Sequence, residues 1–202
     1  MRAITFGALL ATALVGATSS AAAGENNKAL EIGKPAPAWK DLIGIDDKKH
    51  GLDDLKKASV VVVAFTCNHC PVAQAYEDRL NKLAKEYKGK GVELVAINVN
   101  NLPEDKLDKM KERASEKRFA FSYLYDPTQK IGRAYDAAVT PHLFVLDKDR
   151  KVAYMGAFDD NQDASQAKKH YIRDAVDALL AGKKPAVAET KQFGCGIKYD
   201  SK

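Results

Sequence analysis

The chain has 202 residues, 46% hydrophobic and 29% charged, a balance that supports a packed core and excludes a disordered or collagen-like chain. Its 32 basic and 27 acidic residues are interspersed, so the net charge of +5 reads as a solvated exterior and excludes a nucleic-acid footprint. Three cysteines make one pair with one left over.

Met1-Arg2, the apolar stretch from Ile4 to Ala17 and Ser19-Ser20-Ala21-Ala22-Ala23 have the three regions of a secretory signal peptide, with cleavage expected after Ala23. The apolar run is shorter than the ~20 residues a spanning helix needs. The reading is an exported chain, periplasmic or extracellular, with no stable membrane anchor after cleavage. One domain is expected over residues 24–182, followed by a tail over 183–202.

Glu25 to Leu30 reads as a mobile polar lead-in, and Ile32 to Trp39 as an extended, proline-punctuated entry. Asp46 to Gly51 reads as a turn. The run Val60-Val61-Val62-Val63-Ala64-Phe65 has the continuous apolar character of a strand buried on both faces. Val72, Tyr76, Leu80, Leu83 and Tyr87 then form a helical stripe that stops at Gly89 and Gly91. A second strand follows at Val92 to Val99, so strand, helix and strand imply a parallel pair with a right-handed crossover. Pro103 opens a helix predicted to run to about Lys117, and a short helix is expected around Ile131 to Tyr135. His142 to Leu146 reads as a third strand, paired through the Asp147 to Arg150 turn with Lys151 to Gly156. A final helix is predicted over Ser165 to Leu180.

Cys67-Asn68-His69-Cys70-Pro71 sits where the central strand hands over to its helix. Unpaired N–H groups and the positive dipole end of a helix favour thiolate over thiol, which predicts a reactive Cys67. A C-x-x-C loop is too short to gain much chain entropy, so redox work explains the pair better than a structural staple. Asn68 and His69 lie between the cysteines as candidate pKa-tuning residues, and His69 beside the dithiol would stabilise the Cys67 thiolate further. A lower thiol pKa makes a stronger oxidant. Cys195, in Phe193-Gly194-Cys195-Gly196-Ile197, has two readings: a third redox thiol that docks over the site, or a small buried anchor for the tail.

The element order, the C-x-x-C at the first strand-to-helix junction and Val139-Thr140-Pro141 before the next strand together resemble the thioredoxin-like superfamily. The Ile32 to Pro37 entry is similar to its redoxin branch. The resemblance implies an α/β, thioredoxin-like fold: a central mixed sheet flanked by helices, with an N-terminal redoxin-type extension and a C-terminal tail. It implies that Cys67 attacks a disulfide, that Cys70 resolves the mixed disulfide, and that a cis-proline at Pro141 presents Thr140 backbone to a client segment. Exchange with client protein thiols or disulfides, assisted by an unidentified redox partner and needing no cofactor, is the implied activity. Thioredoxin itself differs in having Gly-Pro between its cysteines and a buried aspartate where Val61 stands here. Two alternatives stay open. A peroxiredoxin-like antioxidant peroxidase shares the fold, but Thr66 adjoins Cys67 and the preceding run holds no proline, unlike the peroxiredoxin spacing. Copper binding would draw on Cys67, Cys70 and His142 as soft ligands. Pro71 in place of histidine excludes c-type haem attachment.

Overall fold

In the computed structural model, residues 25–201 are described. The expected signal peptide lies outside them. The elements run β1 (Leu42–Gly44), β2 (Lys49–His50), β3 (Val60–Phe65), α1 (Pro71–Tyr87), β4 (Val92–Asn98), α2 (Leu107–Lys117), β5 (Ser122–Tyr125), α3 (Lys130–Ala134), β6 (Val139–Thr140), β7 (His142–Leu146), β8 (Val152–Gly156), α4 (Tyr171–Leu180) and β9 (Cys195–Gly196). Two short 3₁₀ turns stand at Leu52–Leu55 and Pro103–Asp105.

A seven-stranded sheet has the order β2-β1-β5-β4-β3-β7-β8. β3 lies between β4, its parallel partner, and β7, its antiparallel partner. That central place is why all six of its residues are buried. Its alternating side chains feed two cores. Val60, Val62 and Ala64 pack with Leu80 and Leu83 of α1 and Ile172 and Val176 of α4. Val61, Val63 and Phe65 face Trp39, Tyr135 and Phe144 on the other side. Each fully buried valine contributes about 1.5–3 kcal/mol of apolar transfer, so the strand bearing the cysteine motif is among the best-anchored parts of the chain. Val61 belongs to this apolar layer, with no polar role.

The central mixed sheet flanked by helices bears out the expected fold, with several local differences. β5, Ser122 to Tyr125, leaves no signal in the sequence, because four residues between a helix and a proline turn carry too little period. It enters the sheet between β1 and β4. Of the expected Asp46 to Gly51 turn, Asp46 to Lys48 lie in the tip of the β1–β2 hairpin, while Lys49 and His50 form β2 itself. The helix expected from Pro103 breaks at Lys106, whose extended backbone separates the 3₁₀ turn from α2. The last helix starts at Tyr171, because Asp160 accepts the Lys168 and Lys169 amides at 2.8 and 3.0 Å and draws that segment into a loop. The Glu25 to Leu30 lead-in is pinned: Asn27 is buried and donates to the Tyr135 carbonyl at 2.8 Å. No helix among the described residues is long and apolar enough to cross a membrane.

Residues after α4 return across the body. Thr190 receives the Ala157 amide at 3.0 Å and shares a 2.6 Å hydrogen bond with the Tyr154 hydroxyl. Gly156, at φ +137°, permits this crossing, since a Cβ there would stand 2.3 Å from the Thr190 carbonyl oxygen. Farther on, Lys198 donates its amide to Asn100, Asp200 donates its amide to Gln129, and the Tyr199 hydroxyl reaches the Ala137 carbonyl. Between these anchors β9 pairs antiparallel with β6, Thr140 opposite Cys195 and Val139 opposite Gly196.

Candidate active site

Pro71 takes the first helical position of α1, where its missing N–H costs nothing, and Cys70 is the N-cap. The Cys70 sulfur accepts the Ala73 amide at 3.4 Å. It is also bonded to Cys195, across a Cα–Cα distance of 6.0 Å, within the span disulfides adopt. Cys67 is the free cysteine of the motif and is buried. The Thr140–Pro141 peptide is cis. Thr140 serves both motif sulfurs, with its hydroxyl 3.1 Å from Cys67 Sγ and its carbonyl oxygen 3.3 Å from Cys70 Sγ.

The helix-end argument predicts a lowered Cys67 pKa, and this state reverses it. Burial pushes the thiol up to about 11. The Thr140 hydroxyl opposes that shift, the nearby Asp105 carboxylate adds to it, and the Cys70 and His69 amides lower it by smaller amounts. Desolvation of a thiolate outweighs a few hydrogen bonds when little water reaches the sulfur.

The expected pKa-tuning side chains are committed elsewhere. His69 Nδ1 meets Asp105 Oδ2 at 2.5 Å, while Asn68 donates to the Glu104 carbonyl and accepts from the Tyr123 hydroxyl. Asp105 is the functional residue the sequence reading missed. It is fully buried, and its Oδ1 accepts the Asn68 and His69 amides at 2.8 and 3.2 Å. One carboxylate therefore holds the two backbone amides between the cysteines and orients the histidine ring, through charge-assisted hydrogen bonds. In the sequence, Asp105 resembles any acid in the first turn of a helix. Nothing local signals a contact across 36 residues.

His142 is buried on β7 with its ring 4.5 Å from Phe144. Burial lowers its pKa to about 4, and its Nδ1 has no hydrogen-bond partner. Of the residues named for the copper alternative, Cys70 is bonded to Cys195 in this state. Among the described residues, the side chains whose donor atoms gather within 4.8 Å of one another are Cys67, His69 and Asp105, without His142.

Residues 31–171 match the Redoxin family, a span that contains both motif cysteines and Thr140-Pro141. The chain belongs to the redoxin family. Among relatives of this redoxin, the thiol-disulfide oxidoreductase ResA of Bacillus thuringiensis (strain Al Hakam) is 32% identical over 126 residues, covering 61% of this chain and 68% of that protein. Two solved structures superpose with a TM-score of 0.80. An uncharacterized conserved protein from Geobacillus kaustophilus is 38% identical over 85% of this chain and 93% of its own. A hypothetical protein from Sinorhizobium meliloti 1021 is 31% identical over 87% of this chain and 98% of its own. Kinship with thiol-disulfide oxidoreductases, together with a disulfide built onto the motif, makes this redoxin a thiol–disulfide oxidoreductase. Cys195 lies beyond the family match, in the returning tail.

Proposed function

We propose that this redoxin exchanges disulfides with the cysteines of client proteins outside the cytoplasm, with Cys67 as the client-facing nucleophile, Cys70 as the resolving thiol and Cys195 as a third redox thiol. The observation that carries the reading is the arrangement around Thr140: a free Cys67 thiol on its hydroxyl and a Cys70–Cys195 disulfide on its carbonyl side. Three sulfurs gathered around Thr140 form a set within which a disulfide moves by thiolate attack, without metal or organic cofactor.

In the forward direction the Cys67 thiolate attacks a client disulfide and displaces one client thiolate. Cys70 then attacks Cys67 in the mixed disulfide, releases the second client thiolate and leaves Cys67 joined to Cys70. The reverse sequence oxidises a client dithiol. Thr140 is offered as the hydrogen-bond partner of the Cys67 thiolate, and Asp105 as a positioning residue that shapes the turn between the cysteines. Extracytoplasmic placement is supported by the signal-like first residues and by the oxidising compartment in which such a disulfide persists.

The test is disulfide exchange with insulin and with a reduced, unfolded client. Cys67→Ser is expected to abolish exchange, and Cys70→Ser to accumulate mixed disulfides at Cys67. Traps that form at Cys70 in Cys67→Ser, with exchange intact, would overturn the roles. Fast Cys67-dependent turnover of hydrogen peroxide would favour the peroxidase alternative. The potential of the Cys67–Cys70 couple against glutathione would set the direction of flow.

A further inference from the structure

The closed state raises a steric problem for the reading above. Cys67 is only 2% exposed, and the edge of β6 beside the cis peptide already carries a strand. That strand is the chain's own. β9 lies antiparallel on β6, with a cysteine facing Thr140 and bonded to a motif sulfur. An extended segment hydrogen-bonded to a free strand edge, with a cysteine delivered to the dithiol, has the form of a bound client.

Glycine makes the approach possible. A Cβ at Gly194 would stand 2.2 Å from the Thr140 carbonyl oxygen and 2.6 Å from its carbon, both backbone atoms that cannot swing aside. Phe193, just before it, is 57% exposed, so this stretch is not held by burial of its large side chain. The segment is held at its two ends, by Thr190 on one side and, on the other, by Ile197, whose amide donates to the Ala138 carbonyl at 3.0 Å, and by Lys198, Tyr199 and Asp200. Residues 191–196 thus form a strap fastened at both ends, with Cys195 in its span.

We propose that this strap is an intramolecular stand-in for the client strand, and that transfer of Cys70 from Cys195 to Cys67 frees the β6 edge for an extended, cysteine-bearing segment of a client protein. The proposal rests on the thiol-exchange reading and adds what occupies the site and what vacates it. In the step, Cys67 gives up its proton and its thiolate attacks Cys70 Sγ. The Cys70–Cys195 bond breaks, the Cys67–Cys70 bond forms, and Cys195 leaves as a thiolate that takes up a proton. One disulfide is exchanged for another, with no net oxidation. The strap then lifts between its anchors and exposes the backbone of Val139 and Thr140. A client strand in its place would pair with the same two residues, and a small residue before its cysteine would suit the Thr140 carbonyl.

Gly194→Val tests this in the full-length protein, because it denies the close approach while leaving all three cysteines in place. Under mild oxidation, peptide mapping should find Cys67 joined to Cys70 in the variant and Cys70 joined to Cys195 in the wild type. The second readout uses both proteins fully reduced. An extended peptide with one cysteine activated as a mixed disulfide is offered, and attachment at Cys67 is timed. Capture should be at least about tenfold faster in Gly194→Val, whereas a small aromatic disulfide, which needs no strand edge, should show a smaller difference. Cys195→Ser provides a second variant: mildly oxidised, with Cys67 joined to Cys70 and no covalent fastening of the strap, it should capture the thiol of a reduced extended peptide at Cys67 faster than the mildly oxidised wild type does. Wild-type capture rates in both variants, or a Cys70–Cys195 bond that forms normally in Gly194→Val, would overturn the proposal. If Cys67 fails to react even with the small disulfide in every reduced protein, the thiol-exchange reading falls, and the strap proposal with it.

Discussion

Raising the pH on the oxidised wild-type protein should expose Cys67 as an unusually weak acid. With its pKa pushed up to about 11, about one molecule in ten thousand carries the thiolate at pH 7, against about one in a hundred for a thiol at the ordinary 9.0. A more basic thiolate is intrinsically more nucleophilic, with a Brønsted coefficient of about 0.4–0.5, which returns about tenfold of that hundredfold deficit. The net expectation at pH 7 is alkylation about tenfold slower than a free cysteine, before any loss from restricted access. The assay is a pH–rate profile for iodoacetamide with peptide mapping at Cys67 while the Cys70–Cys195 bond is intact. The rate should climb about tenfold per unit from pH 7 to 10 without levelling, because only the thiolate reacts. A plateau at or below pH 8 would refute the argument that burial dominates this site.

Thr140→Val keeps the shape and removes the hydroxyl at Cys67, so the thiol should become weaker still. A hydrogen bond of about 1 kcal/mol slows alkylation about two- to threefold at pH 8 after the gain in nucleophilicity, measured in the same assay. Asp105→Ala strips one buried and one half-buried backbone amide of their acceptor and should cost about 1–3 kcal/mol in urea denaturation. For His142, the folded state favours the neutral ring, so its stabilisation is intact above the unfolded value of 6.5 and lost as pH falls through about 4. The loss amounts to at most about 3 kcal/mol, and His142→Phe should flatten the stability curve across that window. For Cys67 the window is alkaline: the folded state favours the protonated thiol, so stability is intact below pH 9 and falls as pH rises through about 11.

What the sequence made legible was what short-range pattern encodes. The Val60 to Phe65 run, the stripe on α1 and the two cysteines at their junction each follow from spacing within about 20 residues. The observed strand and helix match those bounds because burial on both faces and the Pro71 start leave little latitude. Site contacts made between distant segments were not legible from pattern, and Thr140-Pro141 was expected at the dithiol only through the family resemblance. Asp105 reaches the motif only because the chain breaks at Lys106, and a single extended residue leaves no compositional mark. The thiolate expectation failed for a related reason. Helix-end chemistry can be read from position, but the desolvation that overrides it depends on what packs over the sulfur. Cys195 kept two readings for the same cause, since flanking glycines permit close approach without naming the partner.

Arg113 grips Glu77 with two hydrogen bonds of 2.9 Å, one to each carboxylate oxygen. Asn81 adds a second tie, donating to the Lys117 carbonyl and accepting the Ala120 amide. These links cross-brace α1, which begins beside Cys70, to α2, which follows the Asp105 turn. The motif and its carboxylate are thereby mounted on one stiff frame, in which a displacement of either helix is transmitted to the other. Compliance must come from the opposite wall, where the β6–β9 ladder has only two residues on each strand. In hydrogen exchange the amides of α1 should therefore outlast those of residues 191–196 by orders of magnitude, with the site opening like a hatch on a rigid sill.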